Sequence, residues 1–113
     1  MTDSILTSVK AALGMTEDYR PFDSQIIMHI NSVFSILQQL GVGPDEGFSI
    51  EDESTEWCEY TSELEKLNLV RSYMYLKVRL LFDPPTNSFL VSSFEKQISE
   101  YEWRLNVAVD PKK

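Results

Sequence analysis

Few residues in this sequence are able to do covalent chemistry. It has one histidine, His29, and one cysteine, Cys58, which lie 29 positions apart and have no local signature around them. If the two met in space, the imidazole would activate the thiol as a nucleophile. Lone histidines and cysteines more often serve a structural role, so the pattern favours that interpretation over catalysis.

The stretch PDEGFSIEDESTEW is rich in carboxylates, which are ligands of hard cations and common acid–base groups. Its order does not match the calcium-loop pattern D-x-[DN]-x-[DN]-G, and no two carboxylates are singled out as a catalytic pair. The sequence also has no phosphate-binding loop, dinucleotide-binding glycine pattern or nucleophile elbow. We therefore expect a protein that is not an enzyme and that uses no metal or cofactor.

The net charge of −8 is concentrated in one region of the chain. Nine acidic residues and no basic one lie between Asp45 and Glu65, whereas the rest of the chain carries a charge of +1. Such a block repels phosphate, which disfavours tight binding of nucleic acid. A solvated loop that keeps the protein soluble is the simplest interpretation of this acidic region.

The composition indicates one soluble, intracellular domain. We place a single helical domain at residues 1–107 and a flexible tail at residues 108–113. One cysteine allows no internal disulfide and fits a reducing compartment, and the first residues lack the features of a secretory signal. The most apolar stretch is interrupted by Arg71, Lys77 and Arg79, so we expect no membrane association.

Apolar periodicity predicts an all-α fold, a compact bundle of about four helices with a long acidic loop between the second and the third. The first helix covers about residues 3–13, with Asp3 or Thr2 as its cap and Gly14 as its stop. Asp23 is the expected cap of the second helix, which ends at Gly41. A short helical turn is expected at residues 56–60.

The third predicted helix runs from Leu64 to Phe82 and carries two apolar stripes. One stripe consists of Leu67, Val70, Met74, Val78 and Leu81. The other lies on roughly the opposite side, at about 100° per residue; it consists of Leu69, Tyr73, Leu76 and Leu80. A surface helix needs only one apolar stripe. This helix is therefore either the central helix of the monomer or a helix that lends one face to another chain.

A rigid helix corner is predicted at Asp83, Pro84 and Pro85, because prolines cannot continue the helical hydrogen-bond ladder. Asn87 or Ser88 then caps the fourth helix. The apolar face of that helix, at spacings of three and four, consists of Val91, Phe94, Ile98, Tyr101 and Leu105. The side chains that lie off this face are Phe89, Trp103 and Val107.

Two segments of the chain, INSVF…LGVGP and RLLFDPPTNSF…EYEWRL, resemble a known family. They are similar to the small head–tail connector, or adaptor, proteins of tailed bacteriophages of Gram-positive hosts. The likeness extends from about Ile5 to Asn106, and neither segment is a catalytic motif. The resemblance implies a structural virion protein whose helical subunits form a ring beneath the portal. Such a ring extends the DNA channel and offers a platform to the next connector or tail component.

The partners implied by the resemblance are further copies of the chain, the portal protein, and the next connector (stopper) or tail component. DNA is expected to pass through the channel without specific binding. The implied location is the neck of the virion, with the host cytoplasm during assembly. Two other classes remain open from the residues alone: an acidic inhibitor that mimics DNA, and a scaffold protein of a cellular complex.

The connector interpretation assigns two groups of residues to surfaces, since a ring needs two different surfaces on each subunit. The residues expected at the contact between subunits are Leu69, Arg71, Tyr73, Leu76, Lys77, Arg79, Leu80 and Trp103. The carboxylates expected to line the DNA channel are Asp45, Glu46, Glu51, Asp52, Glu53, Glu56 and Glu59. A competing use of these carboxylates is ion pairing across the ring joint with Lys66, Arg71, Lys77 or Arg79 of the next subunit.

Overall fold

The computed structural model describes residues 4–44, 46–61 and 64–109, and within them it is all-α, as predicted. The helices are α1 (Ile5–Ala12), α2 (Asp23–Gln39), α3 (Trp57–Tyr60), α4 (Leu64–Phe82) and α5 (Ser88–Val109). Helix α3 is the expected short turn, and α4 has the predicted bounds. No helix in the described part of the chain is both long enough and apolar enough to cross a bilayer.

Helix α1 begins two residues later than predicted, and its cap is Ser4. The Ser4 hydroxyl accepts a hydrogen bond from the backbone N–H of Thr7 at 3.2 Å, which satisfies one of the free donors of the first turn. The expected caps, Thr2 and Asp3, lie outside the described residues. Gly14 follows the helix with a φ of +86°, a conformation that glycine adopts without steric cost.

The prediction that Asp23 caps α2 is wrong. Asp23 is the first residue of the helix, Phe22 holds the cap position, and no side chain of the described residues caps this end. The Asp23 carboxylate instead lies 2.8 Å from the ammonium of Lys10 and 3.5 Å from the guanidinium of Arg20. A carboxylate in the first turn is still favourable, because the helix dipole places partial positive charge there.

Hydrogen bonds to its backbone tie the acidic loop between α2 and α3 to the helices. Asn31 of α2 accepts a hydrogen bond from the N–H of Ile50 at 2.8 Å and donates one to the Ile50 carbonyl at 3.0 Å. Further along, the N–H of Ile5 donates to the Thr55 carbonyl at 3.0 Å. These bonds fix both the middle and the end of the loop against the bundle, so its carboxylates project from a defined backbone.

An aromatic cluster closes the core beneath this loop. Trp57 is fully buried, and its indole N–H donates to the hydroxyl of Ser8 in α1 at 2.8 Å. The ring of Phe34 from α2 lies 6.3 Å from Trp57, 4.9 Å from Tyr60 and 5.0 Å from Phe48. The short helix α3 after the loop is thereby packed onto α1 and α2.

Helix α4 is the central helix of the monomer, since it packs against α1, α2 and α5. Four residues of its first stripe are buried, namely Leu67, Val70, Met74 and Val78, whereas Leu81 is exposed. In the second stripe Tyr73 is fully buried, and Leu69, Leu76 and Leu80 are half-buried against the core. Both stripes therefore have partners within the chain. The second apolar stripe of α4 is explained by packing in the monomer, without a neighbouring chain.

Helix α5 follows the corner and packs back on α4. Asn87 caps it, as one of the two expected residues, because its side-chain oxygen accepts from the N–H of Phe89 at 2.7 Å. On the inner face Ile98 and Leu105 are buried, and the hydroxyl of Tyr73 donates to the Glu102 carboxylate at 2.8 Å. The helix continues to Val109 and so includes the start of the segment predicted as a tail; residues 110–113 lie outside the described part.

Candidate interaction surfaces

The acidic loop presents most of its described carboxylates to solvent. The exposed ones are Glu46, Glu51, Asp52, Glu53 and Glu59. Glu56 is half-buried, and Asp45 lies outside the described residues. Repulsion among these charges is reduced by exposure to water, so the loop is able to concentrate them at little cost.

Local hydrogen bonds hold the tip of this loop in one conformation. One Asp52 oxygen accepts from the backbone N–H of Ser54 at 2.8 Å and from its hydroxyl at 2.5 Å. These bonds, the hydroxyl first and the N–H second, lower the pKa of the Asp52 carboxyl because they favour its charged form. Glu59 in turn accepts from the N–H of Glu56 at 2.9 Å. Part of the acidic block therefore shapes the loop itself.

A buried lysine joins α1 to the start of α2, and an arginine joins the start of α2 to the loop. The Lys10 side chain is almost fully buried, and its ammonium lies 2.8 Å from Asp23 and donates to the Glu17 carbonyl at 3.2 Å. Arg20 lies 3.5 Å from both Asp23 and Glu53, so it joins the start of α2 to the loop tip. These residues line a cavity of about 160 Å³. Sequence reasoning missed Lys10, although it follows Leu6 by one turn on the apolar side of α1.

The residues predicted at the subunit contact divide into covered and accessible ones. Tyr73 is enclosed within the chain. Arg71 donates to the Tyr75 hydroxyl at 3.2 Å and lies over the Trp57 ring at 5.6 Å. Arg79 donates to the Asp83 carbonyl at 2.7 Å and lies over the Phe94 ring at 5.9 Å. Both arginines therefore have intrachain contacts, whereas Lys77 and the leucines of the second stripe are partly accessible.

The two most exposed large apolar side chains among the described residues lie on the outer face of α5. Phe89 is 83% exposed, Trp103 67% and Val107 52%. Leu81 and Leu90 are also exposed, on either side of the Pro84–Pro85 corner. Trp103 and Val107 lie one turn apart on this face and form a small apolar patch, a candidate contact surface, whereas Phe89 lies about 21 Å away near the start of the helix.

The candidate residues for covalent chemistry have separate neighbours. His29 lies against the ring of Phe82 at 6.3 Å, whereas Cys58 is exposed in α3, with its sulfur 3.8 Å from a Glu56 oxygen. Across residues 4–44, 46–61 and 64–109, no cluster of three or more His, Cys, Asp or Glu side chains forms a candidate metal site.

Comparison with known proteins gives one match. A family model described as phage connector protein matches residues 5–112, which includes every described helix. No curated protein and no solved structure matches the chain.

Proposed function

The chain belongs to the phage connector protein family, and we propose that it is the adaptor that forms a ring beneath the portal. Membership supports a structural head–tail connector role in the neck of the virion. The proposal adds that the ring extends the DNA channel and carries the next connector, or stopper, or a tail component. It further assigns assembly to the cytoplasm of a Gram-positive host, as the sequence resemblance implies.

The observation that supports the channel is the exposed, anchored acidic loop. Its carboxylates project from a backbone that is hydrogen-bonded to α1 and α2, so they keep their position while DNA moves past. An exposed charge acts over roughly a Debye length, about 8 Å at physiological salt. Carboxylates that face the lumen therefore repel the phosphate backbone without touching it, and the duplex slides without adhesion.

The proposed ring joint uses the accessible parts of α4 and α5. Leu69, Leu76 and Leu80 offer partly exposed apolar edges, and Lys77 adds a positive charge beside them. Trp103 is the exposed aromatic side chain suited to act as an anchor, since interface energy is concentrated in tryptophan, tyrosine and arginine. Tyr73 leaves this set because it is enclosed. A head-to-tail contact between this surface and a different one on the next subunit closes a ring.

The channel role is tested by reversing charges that have no part in holding the loop together. Glu46 and Glu51 are suited to this, because Asp52 and Glu59 cap backbone groups and Glu53 lies beside Arg20. We expect the double variant Glu46→Lys/Glu51→Lys to form rings with the portal and to package DNA. Ejection should be slower, because lysines in the lumen attract phosphate. Ring formation is checked by electron microscopy and ejection by release of labelled DNA.

A matched control is Glu17→Lys/Glu95→Lys, which makes the same Glu-to-Lys change at two exposed positions outside the loop. This control should eject DNA at the normal rate. If the loop variant breaks the rings instead, the carboxylates serve the ring joint, and a compensating Lys77→Glu change should restore assembly. Intact rings with normal ejection in both variants would reject the channel role and leave the loop as a solubilising segment.

A further inference from the structure

The outer face of α5 carries a second regular stripe, opposite the one that packs on α4. Its members recur at spacings of four and three: Phe89, Ser93, Lys96, Glu100, Trp103 and Val107. All six side chains are exposed. We call these six residues the outer stripe. A four–three spacing is the seam that helices use when they pack lengthwise against each other. The outer stripe therefore has the geometry of a helix-packing seam that has no partner within the described chain.

The order of residue types along the outer stripe is complementary to its own reverse. When two copies of α5 are laid antiparallel about a two-fold axis beside Ile98, Phe89 faces Val107 of the second copy. In the same register Ser93 faces Trp103, so a small side chain leaves room for a large one. Lys96 faces Glu100, and the two-fold axis makes this opposite-charge pair occur twice.

The sequence favours one register between the two α5 helices, and it favours the antiparallel direction over the parallel one. Ile98 lies at the middle of α5, so this register overlaps the two helices over nearly their whole length of about 33 Å. A parallel arrangement would stack Lys96 on Lys96 and Glu100 on Glu100, which is unfavourable. Glu100 also accepts from Arg104 of its own helix at 2.7 Å, which holds its carboxylate near the stripe.

We infer that the free protein forms a two-fold dimer in which the outer stripes of two α5 helices pack antiparallel. Such a contact is isologous and closes on itself, so it cannot build the ring, whose joints are head to tail. The dimer covers Trp103, one of the residues proposed for the ring joint, and it must separate before assembly. The outer stripe thereby keeps the apolar surface of α5 out of solvent until the portal is present. The dimer itself does not depend on the proposed function, whereas its separation at the portal rests on it.

The dimer is tested by charge reversal within and beside the outer stripe. Sedimentation equilibrium of the wild-type protein over a concentration series should show a monomer–dimer equilibrium. Glu100→Lys and Lys96→Glu each replace two attractive contacts with two repulsive ones, so each should raise the dimer dissociation constant about tenfold or more. The double variant Lys96→Glu/Glu100→Lys should restore it to within about threefold, because opposite charges face each other again in the antiparallel register. A mixture of the two single variants should form heterodimers.

The control is Glu95→Lys, the same change on the same helix at an exposed position off the outer stripe. It should change the dissociation constant by less than about twofold. Far-UV circular dichroism verifies that every variant is folded. A wild-type protein that stays monomeric at all concentrations overturns the inference, as does an equal effect of Glu95→Lys or a double variant that fails to dimerise. A monomer that still forms rings on the portal would remove the dimer and leave the proposed function intact.

Discussion

The two tryptophans of this chain lie in opposite environments. Trp57 is fully buried between α1, α2 and the acidic loop, where it donates a hydrogen bond to Ser8 and lies beneath Arg71. Trp103 lies on the outer face of α5 and is 67% exposed. The first residue belongs to the part of the molecule that holds the subunit together, and the second belongs to the part available to other chains. The two tryptophans differ in this way because only one face of α5 is needed to cover α4, which leaves the opposite face, with Trp103, exposed to solvent.

The comparison predicts the largest difference for the two tryptophan-to-alanine changes. Trp57→Ala should lower the free energy of unfolding by about 3–5 kcal/mol, because it removes a large buried side chain from a closely packed aromatic cluster. Trp103→Ala should change it by no more than about 0.5 kcal/mol. Urea unfolding followed by far-UV circular dichroism measures both, at protein concentrations below the dissociation constant of the inferred dimer, because dimerisation through Trp103 otherwise adds to the stability of the wild type. A loss of comparable size for Trp103→Ala would show that the outer face of α5 contributes to the monomer.

A smaller difference is expected between two buried tyrosines. The Tyr73 hydroxyl donates to Glu102 and ties α5 to the central helix, whereas the Tyr60 hydroxyl is buried with no hydrogen-bond partner among the described residues. Tyr73→Phe should therefore cost about 1–2 kcal/mol, and Tyr60→Phe should be neutral or slightly stabilising. Urea midpoints under identical conditions test the pair. Equal costs would mean that the hydroxyl of Tyr60 finds a partner in solution.

The same two tyrosines should make the free energy of unfolding fall at alkaline pH. Burial raises the pKa of both hydroxyls, and for Tyr73 the Glu102 charge adds to this effect. The unfolded chain then loses these protons first, near a pKa of about 10. The stability that the tyrosines contribute is present below that pH and falls as the pH rises above it. Replacing both with phenylalanine should flatten this alkaline loss.

A modest effect on stability is expected at the Pro84–Pro85 corner between α4 and α5. Pro84→Ala/Pro85→Ala adds flexibility to the unfolded chain, which should cost about 1 kcal/mol or less per residue. Helix content should change little, because Asn87 still caps α5 and the Asp83 carbonyl still accepts from Arg79. Assembly with the portal should weaken if the corner sets the angle of α5. Loss of most helicity would show that the corner is required for folding.

Much of the fold follows from local signals in the sequence. The end of α4 at Phe82 was predicted because Pro84 and Pro85 stop a helix whatever surrounds them. Asn87 was one of two residues predicted to cap α5, because a cap is also a local feature, formed by a side chain and the backbone N–H groups of the next turn. The prediction of Asp23 as a cap failed because the choice depended on a distant residue. Lys10, from another helix, holds the carboxylate within the first turn of α2.

The sequence predicted the candidate interaction surfaces only in part. The exposed carboxylates and the position of Trp103 off the inner stripe are visible in the residue pattern, because helical periodicity places side chains on faces. The pattern did not reveal that Tyr73 is enclosed or that Arg71 and Arg79 have contacts within the chain. Those outcomes depend on which helix lies over which stripe.

The sequence by itself determined the helices, the corner and the acidic loop, since capping, proline geometry and charge act over a few residues. It also determined the family, whose model matches almost the whole chain. Only the tertiary structure decided how the two stripes of α4 are used. Packing against α1, α2 and α5 made it the central helix. Burial is set by contacts between residues distant in the chain, so the exposed outer face of α5 became defined only after the rest of the bundle had closed.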